Sequence, residues 1–226
     1  MNSFFDEVLD WSEVWAPLII ILLLLRRPAQ PNILKPVVWF VWLSFIINLS
    51  IDINGHFQTY FPEWMRTNNP LYNVLSIVRF ICFSIFFLRL SNGSFTTIKK
   101  ILIILWAVFV IVNFVFFENF FNFYLLSGNL LATEGFLLLV FCLLYYLAEL
   151  KNDSGEFKTG PVFWVVTGLG IYVVSNFFIF LFYVPVVNEV ITLSISLWNI
   201  HNIAFIILCI FLTNAFYGTV RNKHRG

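Results

Sequence analysis

Seven long apolar runs dominate the amino-acid sequence, and few folds can accommodate them. The runs cover about residues 11–25, 34–51, 71–90, 101–117, 126–149, 161–184 and 190–217. Charged residues make up only 11% of the chain, whereas soluble domains carry about 25%. Nearly all the runs can cross about 30 Å of hydrocarbon as α-helices, and none alternates with the period of two that a membrane β-barrel requires. We therefore predict an all-α integral membrane protein with one domain, residues 1–226, built as a bundle of seven transmembrane helices.

The positive charges between these runs are distributed unevenly. If the first run passes from outside to inside, eleven of the thirteen Lys and Arg residues fall on the inner side, and only Arg66 falls in an outer loop. The inner residues are Arg26, Arg27, Lys35, Arg89, Lys99, Lys100, Lys151, Lys158, Arg221, Lys223 and Arg225. Such a bias orients multispan proteins with the positive loops in the cytoplasm. We predict an outside N-terminus, a cytoplasmic C-terminus and a multi-pass location in the inner (plasma) membrane of a bacterial cell.

The first apolar run is the weakest of the seven. Its uninterrupted part, residues 14–25, is shorter than the roughly 20 residues that a span needs, and Pro17 lies near its start. Acidic residues such as Asp10 precede it, whereas a signal peptide would begin with basic residues. We predict a span and no signal peptide, and a six-span bundle stays open as the alternative.

Two ionisable residues lie well inside the apolar runs. Arg79 is about eight residues from the outer end of the third run, and Glu134 about six to eight from that of the fifth. A central charge in a membrane helix costs about 2.5–3.5 kcal/mol, so such residues tend to be paired and to face the bundle interior. We predict an Arg79–Glu134 ion pair, which either fixes only the register of the helices or belongs to a functional site.

Further polar side chains occur at the same depth on neighbouring runs. Tyr72, Ser76 and Arg79 share one face of the third run through their i+3 and i+4 spacing, and Ser44, Asn48 and Asp52 share one face of the second. The other residues of the predicted site are Asn176, Asn199, His201 and Asn202. One polar residue on a span usually joins helices, but convergence at one depth favours an outward-facing cavity. We predict that Tyr72, Ser76, Arg79, Glu134, Asn176, Asn199, His201 and Asn202 bind a ligand there.

Small residues predict where the helices approach one another closely. Gly128, Ala132 and Gly135 share a face of the fifth run, and Gly168 and Ser175 share a face of the sixth. Small side chains allow close backbone approach in lipid. We assign these residues to helix packing.

Catalytic, metal and cofactor sites have little support in the sequence. No His, Cys or carboxylate near His201 has the spacing of a zinc site, and the seventh run has no Lys to form a Schiff base with retinal. We predict no metal, no cofactor and no catalytic residue. The net charge of +1, with basic residues spread along one membrane face, also predicts no nucleic-acid partner.

The seventh run contains the string SLWNIHNIAFIILCIFLTNAFYG, of which WNIHN is the most specific part. With seven spans and an outside N-terminus, the chain resembles the seven-span membrane sensor regions of bacterial histidine kinases and small stand-alone bacterial proteins of similar size. It departs from the kinase arrangement in having only nine residues after Tyr217. The resemblance implies a sensor whose output passes to a protein partner.

The leading functional prediction is a non-enzymatic sensor or accessory module in the lipid bilayer. It would bind a small polar or amphiphilic ligand, with Arg79 contacting an anionic group and Glu134 acting as counter-ion in the empty state. The alternative is an intramembrane enzyme on lipid-like substrates with Glu134 and His201 in acid–base roles. A small transporter comes third, because the inner half of the bundle has few polar residues.

Overall fold

The computed structural model describes residues 4–26, 29–62, 66–90, 95–151, 160–189 and 191–223, and these residues are helical with short connections. The α-helices are α1 (Phe4–Asp10), α2 (Ser12–Arg26), α3 (Lys35–His56), α4 (Asn69–Arg89), α5 (Thr96–Val112), α6 (Gly128–Leu150), α7 (Pro161–Glu189) and α8 (Ile191–Lys223). Short 3₁₀ helices cover Asn32–Leu34 and Gln58–Tyr60, and a π-helical turn, Asn113–Phe117, follows α5. The all-α class predicted from the sequence is confirmed.

Six helical segments in the described part of the chain are long and apolar enough to cross a membrane. They are Asn32–His56, Asn69–Arg89, Thr96–Phe117, Gly128–Leu150, Pro161–Phe182 and Ser196–Gly218. These segments make the chain an α-helical membrane protein. The helix on the first apolar run, α2, has only 15 residues.

Helix ends differ from the apolar runs by several residues. The second predicted span ends at residue 51, yet α3 continues to His56. The fourth is predicted to begin at residue 101, yet α5 begins at Thr96. Polar residues at the ends of membrane helices lie in the interfacial region, where they keep helical hydrogen bonds without being apolar, and hydropathy alone misses them.

The helices form one bundle in which α7 lies between α6 and α8, and α8 also packs against α2. The interior is polar at the end of the bundle where α3 ends and where α4 and α6 begin, with Asn48, Asn73 and Glu134 buried there. Towards the opposite end it is filled with phenylalanine: Phe80 stacks on Trp106 at 3.9 Å, and Phe87 contacts Phe86 and Phe141. This aromatic core holds α4, α5 and α6 together and separates the polar end of the bundle from the other end.

Two of the small residues predicted to pack closely, Gly135 and Gly168, lie at close helix contacts. Gly168 on α7 faces Phe211 on α8, and Gly135 on α6 faces the backbone of Phe177 on α7. These contacts fix the α6–α7–α8 layer, and that layer positions much of the polar site.

Candidate functional site

Arg79 on α4 and Glu134 on α6 form a bidentate ion pair inside the bundle. The Nε of Arg79 lies 2.5 Å from Oε1 of Glu134, and its Nη2 lies 2.8 Å from Oε2. Ser76, one turn before Arg79, also donates to Oε2. Arg79 is 6% exposed and Glu134 is 1% exposed. The predicted pair is confirmed, and its burial means that each charge depends on the other.

Tyr172 on α7 completes the surroundings of the guanidinium group. Its hydroxyl accepts a 2.7 Å hydrogen bond from Nη1 of Arg79, and the guanidinium carbon lies 5.2 Å from the centre of its ring. All three guanidinium nitrogens are therefore engaged by Glu134 and Tyr172. These contacts use three of the five N–H donors of the guanidinium group.

His201 on α8 is held between an amide and a carboxylate. The Nδ2 of Asn176 donates to the main-chain carbonyl of Tyr172 at 2.8 Å, which turns Oδ1 of Asn176 towards Nδ1 of His201. An amide oxygen can only accept, so Nδ1 of His201 carries a hydrogen. Its Nε2 lies 3.1 Å from Oε1 of Glu13 on α2. This contact between Glu13 and His201 joins α2 to α8.

Aromatic rings fix the plane of the His201 imidazole. Trp198 stacks on it at 5.1 Å between ring centres, Phe180 approaches edge-on at 5.5 Å, and Tyr172 lies 5.8 Å away. Tyr172 contacts both Arg79 and His201, so it links the two polar clusters across α7.

Two cavities adjoin these clusters, and Glu13, Tyr72 and Trp198 form part of the wall of both. The larger, which we call the vestibule, has a volume of about 320 Å³. It is lined by Asp10, Trp11, Glu13, Ile51, Asp52, Gly55, His56, Asn68, Tyr72 and Trp198. The inner cavity reaches Arg79 and His201 and holds only about 10 Å³, roughly the space of one water molecule.

The vestibule has an acidic wall. Asp10, Glu13 and Asp52 supply three carboxylates, and His56 is the only basic side chain among its lining residues. Burial raises the pKa of Asp10 above its usual value, the nearby Glu13 raises it further, and His56 lowers it. Asp10 and Glu13 are therefore close enough to repel each other, and the three carboxylates outnumber the single imidazole of the wall.

The structure divides the predicted site residues between these features. Ser76, Arg79 and Glu134 form one cluster, and Asn176 and His201 belong to the other. Tyr72 lines both cavities and packs edge-on against Trp198 at 5.4 Å. Asn199 is half-buried. Asn202 is fully buried, and neither atom of its amide has a hydrogen-bond partner among the described residues.

Glu13 and Tyr172 belong to the site although the sequence did not predict them there. Glu13 comes directly before the uninterrupted apolar part of the first run, yet it is buried against α8. Tyr172 is one of eight tyrosines in an aromatic-rich chain. Its position four residues before Asn176, on the same helical face, was the available signal.

In the part of the chain that the structure describes, no three or more His, Cys, Asp or Glu side chains are arranged to hold a metal ion. No family model, no curated protein and no solved structure matches the chain. The resemblance of the WNIHN stretch to bacterial sensor regions therefore stays a prediction. What the fold and site define is an α-helical membrane protein with two linked buried polar clusters at one end.

Proposed function

We propose that the bundle has seven spans, with α2 as the first, and that the vestibule opens to the outside of the plasma membrane. Two observations support this arrangement. Ile20 and Leu24 of α2 are buried in the core shared with α3 and α8, and α1 precedes α2 on the vestibule side. Arg26, Lys35 and Lys151 lie at the other ends of their helices, where the loop-charge bias puts the cytoplasm.

We further propose that the protein is a sensor or accessory module that binds a small organic cation in the vestibule. The observation that carries this proposal is the acidic, aromatic-lined cavity of about 320 Å³. That volume is at the lower end of small-molecule pockets. Its carboxylates attract a positive charge, and its lining includes Trp11, Tyr72 and Trp198, the aromatic residue types on which ammonium groups bind.

The vestibule suits a ligand better than the surroundings of Arg79 do. The guanidinium nitrogens are already bonded, and the inner cavity beside them is too small for more than a water molecule. An anion would also have to pass three carboxylates. The ligand is therefore a cation in the vestibule, and the Arg79–Glu134 pair supports the helices beneath it.

The effect of ligand binding would be transmitted to the other helices through Glu13. This residue lines the vestibule and bonds His201 on α8, while Asn176 and Tyr172 continue the contacts to Arg79 on α4. A cation beside Glu13 changes how strongly its carboxylate is held by His201, so bound and empty states differ in the α2–α8 contact. A membrane or cytoplasmic protein partner would read the resulting helix displacement at the inner face.

A second candidate is an intramembrane acid–base enzyme. The Glu13–His201–Asn176 arrangement favours it, because a carboxylate and an amide orient an imidazole from both sides. The acid beside His201 is then Glu13, since the Glu134 carboxylate is bonded to Arg79 and Ser76. The small inner cavity leaves no room for a lipid substrate at His201. Transport is less favoured still, because the phenylalanine core fills the bundle below the site.

A cysteine placed at Gly55 tests which side of the membrane the vestibule opens to, and whether its wall is negatively charged. Gly55 lines the vestibule, and a side-chain carbon there would lie 3.6 Å from the Asn68 amide, an ordinary contact. In intact cells we expect Gly55→Cys to react from outside, and about tenfold faster with a cationic than with an anionic methanethiosulfonate, because a charged cleft concentrates counter-ions. Labelling rates followed by mass spectrometry give the measurement.

Two further variants serve as controls for this experiment. Tyr60→Cys lies at an 84% exposed position outside the vestibule and should react from outside with a much smaller charge preference. Lys151→Cys, at the end of α6, should react only after the cells are opened. Labelling of Lys151→Cys in intact cells would overturn the orientation, and equal rates for the two reagents at Gly55→Cys would overturn the cation site.

A further inference from the structure

Buried oxygen atoms without hydrogen-bond partners lie at the start of α2 and in the later half of α3. They are Oγ of Ser12, Oδ1 of Asn48 and Oδ2 of Asp52, and none has a partner among the described residues. Ser12 is 0% exposed and Asn48 is 1% exposed. Native structures leave few buried polar atoms unpartnered, and each one calls for an unseen water or ion.

Asn48 connects α3 to the start of α2, and we call this interface the α2–α3 seam. Its Nδ2 donates to the main-chain carbonyl of Glu13 at 3.2 Å and lies 3.3 Å from Oγ of Ser44. The donor end of the amide is therefore used and Oδ1 is left without a partner, while the bond to Glu13, the residue after Ser12, holds this part of α3 against the start of α2. Asp52 follows Asn48 by one turn on the same face of α3, and it lines the vestibule together with Glu13.

The chemistry of the seam favours a cation over an anion. All three oxygens can accept, only the Ser12 hydroxyl among them can also donate, and the Asn48 amide donor is already bonded. Carboxylates outnumber basic side chains near the seam. The vestibule contains three carboxylates and one histidine, His56, and a second histidine, His201, contacts Glu13. Charges at membrane depth are costly unless they are neutralised, and a bound cation neutralises one of them.

The same groups favour a monovalent cation over a divalent one. Oxygen ligands suit hard ions, but among the described residues no three His, Cys, Asp or Glu side chains, those of the vestibule wall included, are arranged to hold a metal ion together. One carboxylate with neutral hydroxyl and amide oxygens suits a single positive charge. We infer that a sodium ion binds at the α2–α3 seam between Ser12, Asn48 and Asp52; the site shares Asp52 with the vestibule but does not require the organic cation proposed there.

The test measures thermal unfolding of the full chain in dodecyl maltoside without any organic cation. At constant pH and ionic strength, NaCl replacing KCl should raise the unfolding temperature of the wild type saturably. Asn48→Ala and Asp52→Asn should raise the half-saturating sodium concentration by at least about tenfold, as the loss of metal-site contacts commonly does. Binding of ²²Na⁺ to the wild-type protein should be displaced by NaCl and not by KCl.

Asn73→Ala is the matched control. Asn73 is also buried with an unpartnered Oδ1, but it lies on α4 and its Nδ2 bonds the carbonyl of Phe120. This variant should keep the wild-type sodium response.

Ser12→Ala, a smaller change, repeats the test if Asn48→Ala does not fold. Equal stabilisation by NaCl and KCl means that water fills the seam and overturns the sodium site, and so does an unchanged response in Asp52→Asn. Failure of organic cations to bind would leave the sodium result intact.

Discussion

Replacing Arg79 with Met is expected to lower the free energy of unfolding by about 3–5 kcal/mol, because it leaves the Glu134 carboxylate buried without its partner. Both oxygens of that carboxylate accept from Arg79, and the residue is 1% exposed. Glu134→Gln should also be strongly destabilising, since it leaves the charged guanidinium group of Arg79 buried without a carboxylate partner. Unfolding in mixed dodecyl maltoside and SDS micelles gives the measurement.

The double variant decides whether the two charges act as a pair. Arg79→Met with Glu134→Gln leaves no isolated charge, so it should be more stable than the sum of the single losses predicts. Tyr172→Phe is the control, because it removes one hydrogen bond to Arg79 and keeps the pair. It should cost about 1–3 kcal/mol. Strictly additive losses in the double variant would contradict an energetic coupling of Arg79 and Glu134.

Gly168→Ala is expected to destabilise the bundle by about 1–3 kcal/mol through overpacking. A side-chain carbon at Gly168 would overlap Cβ of Phe211 and lie 3.0 Å from its Cγ. These atoms are close to the α8 backbone and cannot swing aside, so α7 and α8 would have to separate. The same micelle unfolding measurement shows the loss.

Gly170→Ala provides the comparison within the same helix. Its new carbon would lie 4.0 Å from Cβ and Sγ of Cys142, which is ordinary contact. We expect Gly170→Ala to be neutral or stabilising by up to about 1 kcal/mol, since Ala favours a helix over Gly. A loss at Gly170 as large as that at Gly168 would show that the effect is not the contact with Phe211.

The sequence allowed much of the fold to be predicted, because continuous apolar runs leave the chain few alternatives in lipid. It also allowed Arg79 and Glu134 to be paired, since a buried charge needs a partner and their depths matched. Gly168 was recognisable as a packing residue for a similar reason: small residues mark close helix approach in membranes. Each of these predictions depends on one or two helices considered alone.

The rest of the site depends on how distant helices meet. Glu13 and His201 are 188 residues apart, and their contact forms only when α2 packs on α8. The acidic wall likewise combines Asp10 and Glu13 from the N-terminal helices with Asp52 from α3. The expectation that Arg79 receives the ligand could not include Tyr172, which bonds the third guanidinium nitrogen. Side-chain patterns within one helix do not contain this information.

Calorimetric titration of the purified protein with choline, and with its uncharged isostere 3,3-dimethylbutan-1-ol, tests the cation site most directly. The two molecules have the same shape, so any difference reports the positive charge against Asp10, Glu13 and Asp52 and the rings of Trp11 and Trp198. We expect choline to bind the wild type and the isostere to bind at least about tenfold more weakly, and Asp10→Asn to narrow that difference. Equal affinity for the two molecules, or no binding of choline, would contradict the proposal that the vestibule holds an organic cation.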